Sequence, residues 1–99
     1  MVRRAAKVDT NQPEIVAALK AVGASVQHLH TVGDGCLDLL VGYHGINYLL
    51  EIKSPRGKLN DLQEEFIENW RGRTAVVYSI DQALFAIGAI HSYEIPETT

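Results

Sequence analysis

Apolar residues recur at helical spacing between Pro13 and Val22, with Ile15, Leu19 and Val22 on one stripe. Pro13 suits a first turn and Gly23 a stop, so the pattern predicts a first helix. The next stretch, SVQHLHT at 25–31, alternates with the period of two that marks a strand, although neither face is purely apolar. GDG at 33–35 signals a turn. CLDLLVGY at 36–43 and INYLLEIK at 46–53 are β-rich runs separated by His44-Gly45, which predicts a hairpin.

SPRGK then breaks the chain. From Leu59 to Trp70 the residues Leu59, Leu62, Phe66, Ile67 and Trp70 form an apolar stripe, with Asn60 as cap and Gly72 as stop. Phe66 and Trp70 are expected in the core. TAVVYS at 74–79 reads as a buried strand, and Ser79-x-x-Gln82 has the capping-box spacing ahead of Ala83, Leu84, Ile87 and Ile90. The order is helix, three strands, helix, strand, helix. A helix between the third and fourth strands implies a parallel crossover joined to an antiparallel hairpin, hence an α/β domain whose mixed sheet is flanked by helices.

The hairpin brings candidate chemistry together. If His44-Gly45 is a two-residue turn, counting back along both strands places Asp38 opposite Glu51. Glu51 shares its face with Leu49 and Lys53, so two carboxylates and an amine emerge beyond an apolar strip. Opposed strand residues have Cβ atoms about 4.5 to 5.5 Å apart, and two like charges there destabilise the sheet. A divalent cation offsets that repulsion, since Mg²⁺ is commonly held by one or two carboxylates together with waters and phosphate oxygens. Lys53 lies roughly 7 Å further along the strand, beside such an ion, where it can orient a water or neutralise charge on a phosphate. An ordinary surface salt bridge among the same three residues is the competing explanation. Gln63 puts a polar amide near the start of the second helix's apolar stripe, either as a cap or as a partner for the end of the Glu51 strand.

The segment GDGCLDLLVGYHGINYLLEIKSPRGKLNDLQEEF resembles the active-site segment of the PD-(D/E)XK nuclease superfamily, and most closely its VRR-NUC (virus-type replication-repair nuclease) branch of stand-alone phage and bacterial type. The resemblance implies a restriction-endonuclease-like αβββαβ core. It also implies metal-binding roles for Asp38, Glu51 and the backbone carbonyl of Ile52, with Lys53 positioning the attacking water. A first-helix glutamate and a later glutamine belong to the site in that branch, which match Glu14 and Gln63. The superfamily's Pro-Asp is Leu37-Asp38 here. By the same resemblance the cofactor is Mg²⁺ or Mn²⁺, the substrate is duplex or branched DNA such as a Holliday junction, and the protein is a homodimer in bacterial or phage-infected host cytoplasm. A non-catalytic DNA-binding or assembly module on the same fold is the alternative.

Composition alters this picture little. The chain's 99 residues, 46% of them hydrophobic, suit one domain over 1–99, with a basic arm at 1–10 and a polar tail at 91–99. That length leaves no room for a separate DNA-reading domain, so structure or strand ends are the expected targets. Nine Lys and Arg against twelve Asp and Glu give a net charge of -3, but the charges segregate. Asp61, Glu64, Glu65 and Glu68 fall on one helix, whereas Arg56 and Lys58 follow Lys53 in a turn suited to a phosphate backbone, and Arg3, Arg4 and Lys7 cluster at the start. The single Cys36 fits a reducing compartment, and no window is apolar enough to span a membrane. His28 and His30 share a strand face without a third zinc ligand at recognisable spacing.

Overall fold

The computed structural model describes residues 9–93. Its elements are α1 (Gln12–Ala21), β1 (Ser25–His28), β2 (Leu39–Tyr43), β3 (Ile46–Ile52), α2 (Asp61–Asn69), β4 (Arg73–Val77) and α3 (Ile80–Ala86). The strands form one sheet in the order β1-β2-β3-β4, antiparallel across the first two pairings and parallel between β3 and β4. The crossover carrying α2 accounts for that last parallel pairing.

His44 and Gly45 both adopt positive φ, at 48° and 80°, as a turn whose twist matches the flanking strands requires. Tyr43 accordingly pairs with Ile46 and Leu39 with Leu50, the expected register. The strands on either side of GDG are shorter than predicted. β1 ends at His28 and β2 starts only at Leu39, because Gly33, Asp34 and Gly35 are all left-handed and curl the chain away from the ladder. Gly35 then lies against the first turn of α2. A Cβ there would collide with the carbonyl oxygen of Leu62, so the loop reaches the helix only because position 35 has no side chain.

Alternation along the strands divides the sheet into two unlike faces. Leu39, Val41, Leu50, Ile52 and Val77 point to one face and pack with Ile15 and Leu19 of α1, with Ala83 of α3 and with its C-cap Ile87. That is the core. The other face carries Leu40 and Leu49, and beyond them Asp38 and Glu51; α2 lies over this side. None of the residues of α2 is fully buried. Phe66 stacks on Trp70 with ring centroids 5.1 Å apart, and Trp70 is 48% exposed, so the expectation of a core aromatic pair is corrected. A nine-residue helix covers only part of a four-stranded face, and its stripe ends at the rim. Among the described residues, no helix is long and apolar enough to cross a membrane.

Candidate active site

At the end of the hairpin away from its turn, the ladder extends one rung beyond β2, with the Leu29 N–H donating to the Asp38 carbonyl at 2.7 Å. The Asp38 side chain turns toward β3, where its Oδ2 accepts the Ile52 N–H at 2.9 Å. In a strand the N–H and C=O of one residue point the same way, so the Ile52 carbonyl also faces the Asp38 side. Glu51 is only 1% exposed. Its Oε2 accepts from Gln63 Nε2 at 2.8 Å and lies 3.4 Å from Lys53 Nζ. Its Oε1 is buried and has no hydrogen-bond partner among the described residues.

Gln63 resolves the two sequence readings by doing both. Its Oε1 accepts the Asn60 N–H at 3.0 Å while the Asn60 side chain accepts the Gln63 N–H at 2.9 Å, a reciprocal box at the N-terminus of α2. The amide nitrogen left over reaches Glu51. Helix start and carboxylate are thus fixed by one side chain.

Burial first, and then the neighbouring Asp38 carboxylate, push the Glu51 carboxyl up to about 7 despite Lys53. Asp38 is raised as well, mainly by burial and in part by Asp9, against the lowering effects of the Ile52 N–H, Lys53 and His30. Two adjacent acids that both resist ionisation lack sufficient positive charge.

These residues line a polar cleft of about 490 Å³, whose walls include Asp9, His30, Cys36, Lys58 and Asn60. Asp38, Glu51, Lys53 and Gln63 are brought together there, as the sequence places them. Lys58 joins them on the wall, whereas Arg56 sits exposed on the same loop. Glu14 is not brought in. It is exposed on α1 and lines a separate groove with Asn11, Pro55 and Tyr78, on the other side of the chain that leaves β3. Asp9, just before α1, occupies the cleft instead, and sequence reasoning missed it along with His30. Neither belongs to a recognisable spacing; only the fold, by threading 9–12 past the end of β3, brings Asp9 near Asp38. His28 and His30 have ring centroids 6.1 Å apart, and among the described residues no three His, Cys, Asp or Glu side chains form a ready-made metal cage. Arg3, Arg4 and Lys7 lie outside the described residues.

No protein-family model and no curated protein matches this chain. A solved structure described as a VRR_NUC domain does, with a TM-score of 0.61 and 26% sequence identity over 76% of this chain and 91% of that one. This chain is similar in fold to a VRR-NUC domain. The mixed four-stranded sheet flanked by helices is consistent with a VRR-NUC nuclease fold, and the polar cleft lies at the sheet end where β3 leaves the ladder.

Proposed function

We propose that this domain is a divalent-metal-dependent deoxyribonuclease that hydrolyses a DNA phosphodiester bond in the Asp38–Glu51–Lys53 cleft. The observation that carries the proposal is the Glu51 carboxylate: fully buried, adjacent to a second acid, and with Oε1 unpartnered among the described residues. An unpaired buried carboxylate oxygen is costly, and a cation in the cleft would satisfy it. Asp38, Glu51 and the Ile52 carbonyl are hard oxygen donors of the kind that Mg²⁺ or Mn²⁺ takes, the remaining positions falling to water and phosphate oxygens. When bound, the metal would supply Lewis acidity and a more acidic water.

The chain's own groups do the rest. Lys53, 3.4 Å from Glu51, holds the attacking water in line with the scissile phosphorus and offsets negative charge as the new P–O bond forms. The attacking water gives up a proton to solvent, the opposite P–O bond breaks, and the leaving oxygen takes a proton from solvent. Gln63 keeps Glu51 in place, and Lys58 on the cleft wall, with Arg56 further out, holds the flanking phosphates.

The exposed side of the sheet supports a homodimer. Leu29, Val32, Leu40, Leu49, Phe66 and Trp70 line an open apolar groove beside the cleft, with Val32 60% exposed. Asp34 and Arg73 also line it, Arg73 paired with Tyr48 of β3. A two-fold contact between identical grooves would cover the apolar strip. Two sites held in this way suit branched DNA such as a four-way junction. Incubation with labelled duplex, flap and junction DNA, with Mn²⁺ or with chelator, tests the reading. Metal-dependent cutting that Lys53→Ala abolishes is the expected result; no cutting of any substrate by folded protein would leave a DNA-binding or assembly module.

A further inference from the structure

Asn11 occupies the N-cap position of α1, where an Asn side chain ordinarily accepts an N–H from its own helix. It makes no such bond. Its amide turns to the sheet instead, and Nδ2 donates to the Lys53 carbonyl at 3.1 Å and to the Tyr78 carbonyl at 3.2 Å. Both amide hydrogens are therefore engaged on residues far away in sequence.

Those two carbonyls need outside donors because the ladder ends beside them. The last parallel rung is the Lys53 N–H to Val77 carbonyl bond, at 3.0 Å. Past it the chain after β3 turns into 54–57 and the chain after β4 runs into the Ser79 cap of α3, so neither strand offers the other a further N–H. Asn11 closes the gap. Lys53 is consequently pinned at its N–H by β4 and at its C=O by α1, at the point where the chain leaves the sheet.

We infer that Asn11 is a positioning residue for the phosphodiester site, an inference that rests on the nuclease reading. By fixing the Lys53 backbone, it keeps Nζ beside Glu51 and holds the Ile52 carbonyl toward Asp38. It also ties the start of α1 to the end of β3, which places Asp9 on the cleft wall. Asn11 itself faces the groove behind, with Glu14, Pro55 and Tyr78, and is absent from the cleft lining. Its influence belongs in the rate of the bound complex and in metal affinity, and not in DNA affinity.

Asn11→Ala and Asn11→Asp test this, the second retaining shape while replacing the donor group. Val16→Ala, a core change on the same helix, serves as a control for destabilisation alone. Cleavage kinetics at saturating Mn²⁺, Mn²⁺ affinity by calorimetry without DNA, and Tm are measured for all three and for the wild type. We expect kcat to fall about 10- to 100-fold in both Asn11 variants with KM for DNA unchanged, as a small misplacement of reacting groups produces. Mn²⁺ affinity should weaken in the same variants, and Val16→Ala should lose Tm while keeping kcat. Asn11 variants that retain wild-type kcat and Mn²⁺ affinity, or lose them no more than Val16→Ala does, would overturn the inference. A wild-type protein that binds Mn²⁺ but cuts no DNA would instead sink the nuclease reading, leaving the calorimetric comparison to decide on Asn11. If the wild type does neither, both fall.

Discussion

The amide nitrogen of Gln63 lies 2.8 Å from Glu51 Oε2 while its oxygen closes the capping box of α2 with Asn60, so helix stability and carboxylate orientation depend on one side chain. The two roles are separable. Gln63→Glu retains a residue able to close the box but replaces the donor with a second acid facing Glu51. Gln63→Ala removes both, at a cost of about 1 to 2 kcal/mol. Thermal melts and Mn²⁺ titrations should therefore diverge: Gln63→Ala loses Tm and about 10- to 100-fold in metal affinity, as loss of an outer-shell partner typically costs. Gln63→Glu should change metal binding while its helix cap persists. Wild-type metal affinity in Gln63→Ala would show that the contact to Glu51 is idle.

Glu51 makes stability depend on pH in an unusual direction. Its carboxyl is raised from 4.5 to about 7, so between those values the folded protein keeps a proton that the unfolded chain has released. Stability is then lost as pH rises through that window, by about 3 kcal/mol at 1.36 kcal/mol per pH unit. Metal-free protein should melt lower at pH 8 than at pH 5, and Mn²⁺ should restore Tm at pH 8 but hardly at pH 5. A chelated protein that melts higher at pH 8 than at pH 5 would contradict the assignment.

Glu51→Gln mimics the protonated acid and removes the like-charge conflict with Asp38. In chelator at pH 8 it should raise Tm, roughly 4 to 8 °C for each kcal/mol regained in a domain of this size, while abolishing cleavage. Calorimetric scans beside a cleavage assay check both halves, and a lower Tm than wild type would mean that the lost Lys53 contact outweighs the relieved repulsion.

Lys53→Met keeps most of the aliphatic stem and removes the charge. The expected loss is about 10²- to 10³-fold in kcat, the range typical of deleting one charge-stabilising donor, with substrate affinity little altered. Lys53→Arg should not rescue it, because the planar guanidinium cannot place a single donor where Nζ sits. Single-turnover kinetics would reveal either failure.

The apolar groove predicts association. Leu40→Asp and Trp70→Glu each introduce a charge into the centre of the proposed contact, and both should shift the protein from dimer to monomer in sedimentation velocity. Trp70 is the sole tryptophan, so its emission reports the same change. A wild-type protein that is monomeric at tens of micromolar would remove the basis for the two-site arrangement.

Much of this was readable along the chain, and the failures have physical causes. The hairpin register followed from His44-Gly45, since few residue pairs accept two consecutive left-handed conformations, and with it came the juxtaposition of Asp38, Glu51 and Lys53. Gln63 announced itself as a polar interruption of an apolar stripe. Trp70 misled because helical spacing says which residues share a stripe, not whether the sheet beneath is broad enough to cover them. Glu14 was drawn from a resemblance whose helix carries its acid inside the element, whereas here Asp9 lies just outside it. Asn11 gave no signal because a cap residue looks the same in sequence whether its side chain serves its helix or a strand forty-two residues away.

The bare backbone at position 35 bears on substrate size. Because the GDG loop touches α2 through a residue without a side chain, that contact sets how closely two walls of the cleft approach, much as a shim sets a bearing. The conformation there, φ 78°, discourages any replacement, and an added methyl group would have to push the Leu62 peptide outward and carry Gln63 with it. Cleft width and the aim of Glu51 are therefore not independent variables. On the proposed reading, the cleft cannot widen at that loop for a bulkier strand without also releasing the Glu51 carboxylate.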